Sequence, residues 1–248
     1  TARCRHGQLF GWREQGEGLN GAQAELVRVP LSDSTLVEIP AGVSLENALL
    51  AGDVLSTGYF CSDKVGVGAG TTAVVVGCGP VGLMTILAAR HLGAERIFAV
   101  DRIADRLRLA ETFGGEPLNM ETMPTRDIVF EATNGAGADV ILEAVGNPSA
   151  SRLALELVRP GGTISVVGVH TTPEFAFSPV EAYDKNLTYR IGRCPARHYM
   201  DLVLPLLTDT TVDPASIVSH RLALTEGVRA YEIFANRREG CTKVLLAP

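Results

Sequence analysis

The stretch from Thr72 to Asp101 constrains this chain more than any other. It opens with Thr72-Ala-Val-Val-Val76, a β-branched apolar run of the length of a buried strand. Gly77-Cys-Gly79-Pro-Val81-Gly82 follows at once. Val81, Leu83, Met84, Ile86, Leu87 and Leu92 then give a broad apolar face at helical spacing. Arg96-Ile-Phe-Ala-Val-Asp101 reads as a second buried strand, ending on an acid 19 residues beyond Gly82. A strand, a glycine turn, a helix and another strand make a β-α-β unit, whose strands lie parallel.

The alternation continues downstream. Helices are expected over residues 103–113, 127–134 and 148–158, with strands over 138–145 and 163–169. A turn at Arg159-Pro-Gly-Gly162, a short helix over 179–184 and a strand over 187–191 complete the run. Nearly continuous apolar strands separated by helices indicate a parallel sheet covered on both faces. The fold class is therefore α/β, a doubly wound parallel sheet over roughly residues 55–192. The flanks read differently. Residues 20–40 suggest short strands broken by Pro30, Pro40 and Gly42. Beyond Arg193, a helix (196–207), a strand (217–224), a helix (225–235) and a last strand (243–246) are expected. Segments 1–54 and 193–248 are thus assigned to one further domain, interrupted by the α/β unit.

Composition narrows the partners. With 22 Lys+Arg against 28 Asp+Glu and a net charge of −6, the chain lacks the basic excess of a nucleic-acid binder. A 46% hydrophobic and 20% charged composition is globular, and no apolar run reaches the length of a membrane span. Five cysteines without a Cys-x-x-Cys pair point to a reducing, cytoplasmic setting rather than a disulfide framework. Residue 1 is Thr, so the chain is expected to begin inside a longer protein.

The glycine turn has a specific chemistry. Gly77 permits the tight turn, Gly79 lets backbone approach a pyrophosphate, and Gly82 lets helix pack on strand. The helix N-terminus offers unpaired N–H groups to phosphate. Asp101 suits the hydroxyls of an adenosine ribose, and its charge repels a 2′-phosphate, which favours NAD over NADP. Arg102 beside it pulls toward NADP. A plain strand–helix turn and an S-adenosylmethionine site are the rival readings.

An ordered set of motifs carries a wider likeness: Gly21-Ala-Gln-Ala-Glu-Leu-Val-Arg-Val-Pro30, Gly52-Asp-Val-Leu-Ser-Thr-Gly-Tyr59 and Gly77-Cys-Gly-Pro-Val-Gly-Leu83. Glu143-Ala-Val-Gly146, Arg159-Pro-Gly-Gly162 and Gly240-Cys-Thr-Lys-Val-Leu-Leu246 continue it. Together these resemble the medium-chain zinc-dependent alcohol dehydrogenases over the whole chain. The resemblance implies a Rossmann domain inserted in a β-rich, GroES-like catalytic domain. It also implies hydride transfer between a small-molecule alcohol or aldehyde and NAD(P), with a zinc ion polarising the oxygen. A homo-oligomer, dimer or tetramer, is implied through the edge strand over 187–191.

By the same resemblance, Asp53 matches a ligand of the catalytic zinc, although on its own it reads as a helix N-cap. Cys4 matches the last cysteine of a four-cysteine structural zinc lobe. Thr57 and Val81 match positions that pack on the nicotinamide, and Val167 and Val169 the strand end facing the carboxamide. Lys243 matches a basic position directed at the pyrophosphate, against the plain reading of a solvated strand charge. The family's catalytic Cys, His-Glu pair and three further structural cysteines have no counterpart here. His6, His91, His170, His198 and His220 have no Glu or Cys at metal-ligand spacing, and His170, just past the strand end, stands nearest the cofactor. A catalytically silent dinucleotide-binding protein and a zinc-independent reductase remain as alternatives. Residues 1–54 are expected to expose apolar surface for want of strand partners. A short-chain dehydrogenase is excluded, because none of Tyr59, Tyr183, Tyr189, Tyr199 and Tyr231 has Lys four residues on.

Overall fold

The computed structural model describes residues 9–12, 18–208 and 213–248. Three helices precede the sheet: α1 (Ser32–Thr35), α2 (Leu45–Ala51) and α3 (Val54–Asp63). Six parallel strands follow, β1 (Thr72–Val76), β2 (Arg96–Asp101), β3 (Glu116–Asn119), β4 (Ala138–Glu143), β5 (Val158–Val166) and β6 (Thr188–Ile191). Helices α4 (Pro80–His91), α5 (Ala104–Thr112), α6 (Thr125–Ala132), α7 (Pro148–Leu157) and α8 (Pro179–Asp184) connect them. The chain ends with α9 (Ala196–Val203), β7 (Val218–Ala223), α10 (Gly227–Ala235) and β8 (Lys243–Ala247).

The strand order is β3-β2-β1-β4-β5-β6. Chain direction across the sheet reverses between β1 and β4, so a crevice opens outside their carboxyl ends. Alternate strand residues feed two separate cores, as the two-residue period of a strand requires. Ala73 and Val75, Ile97 and Ala99, Val140 and Leu142 pack with α3, α4 and Phe113. Val74 and Val76, Phe98 and Val100, Ile141 and Ile164 pack with α6 and α7. Burial on both faces is why these strands read as unbroken apolar runs.

Differences from the sequence reading have local causes. Strand β3 carries no β-branched run. Its Glu-Pro-Leu-Asn sequence is held by pairing with β2 at the sheet edge, where the missing N–H of Pro117 is tolerated. Strand β5 begins at Val158 rather than after the Arg159–Gly162 turn, because Val158 pairs with Ala138 across a register shift. The short strands expected within 20–40 do not form. Those residues make bends and α1, with Leu26 91% exposed and Val27 half-exposed, since no described strand lies beside them. An isolated bridge joins Phe10 and Leu19. The expected apolar exposure of this flank is present at Leu31, Leu36, Leu45 and Leu49 as well. Strands β7 and β8 pair parallel as a separate two-stranded sheet. No described helix is long and apolar enough to cross a membrane.

Candidate functional site

The crevice between β1 and β4 gathers most of the residues singled out from sequence. Gly77 leaves β1 with φ +91°, and its N–H donates to the Val100 carbonyl at 2.8 Å. A Cβ on it would lie 2.4 Å from Val145 Cγ2, so the turn is clasped by the loop after β4. Gly82 is tighter: a Cβ there would stand 1.7 Å from the Gly77 carbonyl oxygen. Gly79 is the opposite case. Its Cβ would meet nothing nearer than the Arg106 guanidinium at 3.9 Å, so that side of the backbone faces open space.

Gly79 is also the N-cap of α4, and Pro80 is its first residue. The first intrahelical bond runs from Leu83 N–H to the Gly79 carbonyl at 2.9 Å. The N–H groups of Val81 and Gly82 therefore have no acceptor within the helix, and the positive end of the helix dipole points the same way. Beside them Asp101 ends β2, almost fully buried. Its Oδ2 accepts from Cys78 N–H at 2.8 Å, and its Oδ1 from Arg102 N–H (2.7 Å) and Ile103 N–H (3.0 Å). Three donors leave this carboxylate further acceptor capacity. The Arg102 side chain is exposed, whereas Arg106 Nη1 lies 3.9 Å from Asp101 Oδ2. Burial, with the negative charge of Asp101 beside it, pushes the Cys78 thiol well above the usual range, so it stays protonated.

Across the crevice, Val167 and Gly168 donate their N–H groups to the Glu143 carbonyl at 3.0 and 3.2 Å. Val169 is 76% exposed, and its backbone packs on Gly146, where a Cβ would come within 2.5 Å of the Val169 N and O atoms. Glu143 itself is buried.

Asp53 and Thr57 lie at the start of α3. Asp53 occupies the N-cap position but makes no side-chain cap bond, and its carboxylate is exposed. The Thr57 hydroxyl donates to Asp53 Oδ1 at a long 3.4 Å. The Cys194 thiol reaches the Ser56 carbonyl at 3.3 Å in the same place, and burial raises it to about 12. An uncapped, exposed carboxylate is compatible with a ligand role. Among the described residues, however, no three His, Cys, Asp or Glu side chains lie together as a metal group. Zinc thus finds one candidate ligand here and no complete site, and no chemical step through a metal follows from these residues. Cys4 lies outside the described residues.

Lys243 opens β8 and lines a surface hollow with Gln23, Tyr231 and Phe234. Its ammonium forms no hydrogen bond with the glycine turn. The closing segment does run beside α5, since a Cβ on Gly240 would lie 3.8 Å from Asp105 Oδ2. The sequence reading missed Arg106 and gave Glu143 no role. Glu143 ends β4 as Asp101 ends β2, whereas the strand expected over 138–145 placed it inside the run.

The family profile described as "Zinc-binding dehydrogenase" matches residues 80–209, more than half of the chain. The chain belongs to the zinc-binding dehydrogenase family. It is 38% identical over 244 residues to zinc-type alcohol dehydrogenase B of Aspergillus flavus, covering 94% of this chain and 55% of that protein. It is 35% identical to an uncharacterized zinc-type alcohol dehydrogenase-like protein, AdhB, of Bacillus subtilis, covering 98% of this chain and 70% of that one. Among solved structures, the alcohol dehydrogenase TADH from Thermus sp. ATN1 superposes with a TM-score of 0.93 at 43% identity, over 99% of this chain and 70% of that one. This zinc-binding dehydrogenase chain thus spans between 55% and 70% of the length of these relatives. The Rossmann-type sheet and the medium-chain alcohol dehydrogenase likeness read from the motifs both stand.

Proposed function

We propose that the complete protein is an NAD-dependent alcohol dehydrogenase that interconverts a small alcohol and its carbonyl compound. The reading is carried by the open backbone at Gly79, set beside the unpaired N–H groups of α4 and the carboxylate of Asp101. These would hold, in turn, the pyrophosphate and the adenosine ribose of a dinucleotide. When bound, the cofactor supplies the hydride acceptor and donor of the reaction. Val81, Thr57, Val167 and Val169 are assigned to its nicotinamide half, and Lys243 to its phosphates. Asp53 is assigned as one ligand of a zinc ion whose other ligands would lie outside the described residues, and Cys4 as part of a structural zinc lobe. The proposed domain division is 1–54, 55–192 and 193–248. The exposed edge of β6, with Ile191 half-exposed, supports a homo-oligomer joined sheet to sheet. Four unpaired cysteines among the described residues, Cys61, Cys78, Cys194 and Cys241, support a cytoplasmic setting.

Titration of the 248-residue chain with NADH and NADPH, followed by nucleotide fluorescence, tests the central claim. NADH is expected to bind at least tenfold more tightly, because Asp101 would sit against a 2′-phosphate. Absence of binding overturns the reading. A preference for NADPH supports a second reading, favoured by the Arg106 guanidinium beside Asp101 and the exposed Arg102. Binding of NAD by the complete protein without alcohol oxidation in the presence of zinc would instead support the catalytically silent alternative. Oxidation indifferent to zinc removal would support a zinc-independent reductase.

A further inference from the structure

Glu143 is a fully buried acid at the carboxyl end of β4, and its bonds reach two separate segments. Its Oε1 accepts the N–H groups of Val145 (2.6 Å) and Gly146 (2.7 Å). Its Oε2 faces His170 Nε2 at 3.3 Å, and its main-chain carbonyl accepts from Val167 and Gly168. This contact ties the two side chains together, with the donor set by the tautomer of the ring. His170 is itself mostly buried, with 19% of its side chain exposed. The pair therefore joins the loop after β4 to the loop after β5. The first of these loops is the one whose Val145 abuts Gly77.

In a doubly wound sheet a dinucleotide lies across the crevice at the carboxyl ends of the strands, with its two halves on either side of the switch point. The glycine turn and Asp101 occupy the β1–β2 side. The β4 and β5 ends, with the exposed Val169, occupy the other. We propose that His170 and Glu143 are a positioning pair for the nicotinamide half of the cofactor. They fix the Val167–Val169 backbone through one hydrogen bond while the adenosine half is held independently at β2. The inference rests on the dinucleotide reading above. Two further charged groups stand at this strand end: the Lys64 ammonium donates to the Val166 carbonyl at 3.0 Å, and the Arg190 guanidinium of β6 donates to the Lys64 carbonyl, so neither is bonded to the pair.

The test compares NADH with ADP-ribose, which lacks the nicotinamide, on the full chain and on His170→Ala. Losing that bond is expected to weaken NADH about five- to tenfold. ADP-ribose affinity should change less than twofold. His170→Gln, which keeps an amide donor and acceptor of similar reach, should recover most of the loss. Equal losses for both ligands, or unchanged NADH affinity, would overturn the pairing role while leaving the dinucleotide reading intact. A wild-type chain that binds neither ligand would overturn that reading, and the pair with it.

Discussion

Three glycines in one turn fill three different spaces, and substitution separates them. A methyl on Gly82 would overlap the Gly77 carbonyl, which belongs to the backbone and has no rotamer to escape into. Gly82→Ala is expected to cost about 3 kcal/mol or more, measured by denaturant unfolding, because α4 must move off β1. A methyl on Gly79 meets only the end of a flexible Arg106 side chain 3.9 Å away. Gly79→Ala should leave stability within about 0.5 kcal/mol of wild type, yet weaken NADH binding at least tenfold by filling the opening above the helix N-terminus. If both variants lost stability alike, the turn would be merely structural. The Gly-x-Gly-x-x-Gly spacing was legible in the sequence, and so was Asp101. Arg106 was not, because its place beside Asp101 follows from the direction in which α5 leaves β2, which no spacing rule encodes.

Helix starts carry the next level of the argument. Ser44 caps α2 by accepting Asn47 N–H at 3.2 Å, and Asn147 caps α7 by accepting Ala150 N–H at 2.8 Å. Asp53 stands at the same position of α3 without such a bond. Asn147→Ala is therefore expected to cost about 1 kcal/mol, whereas Asp53→Ala should cost less than about 0.5 kcal/mol in the same unfolding measurement. A larger loss at Asp53 would mean that its carboxylate serves α3 and not a ligand. Helix α2 was not anticipated from sequence, although Ser44 followed by an apolar run is a helix-start signal, and α3 was anticipated only in the N-cap reading of Asp53. In α3 the polar and small residues Ser56, Gly58 and Ser62 are buried, so no amphipathic stripe appears. Its Gly58 is needed where α4 passes: a Cβ would lie 2.5 Å from the Met84 carbonyl carbon. The central strands β1, β2 and β4 were read well for the converse reason, since they are buried along nearly their whole length and carry no polar alternation to mislead.

At the scale of the whole molecule, α3 is tied to the sheet at one buried point, and that point gives stability a dependence on alkaline pH. Ser165 Oγ of β5 donates to the Cys61 carbonyl at 2.6 Å, and the Cys61 thiol lies 3.4 Å from the same hydroxyl. Burial pushes this thiol from 9.0 up to about 11. The folded chain therefore holds the proton more tightly than the unfolded chain. The stabilisation is complete below about pH 9 and is lost as pH rises through about 11. The half-buried Lys64, lowered by its own burial, works in the opposite sense, regaining stability as it loses charge. Subtracting a variant that keeps Lys64 isolates the thiol. Cys61→Ala is expected to be less stable than wild type at pH 8, because it empties space in a packed core. Between pH 9 and pH 11 the gap should narrow by about 2 kcal/mol, the free energy of a shift of that size over that window. Denaturant unfolding of both proteins at several pH values measures it. A gap that stays constant would mean that the thiol ionises as freely in the fold as outside it, and that α3 is not sealed against β5.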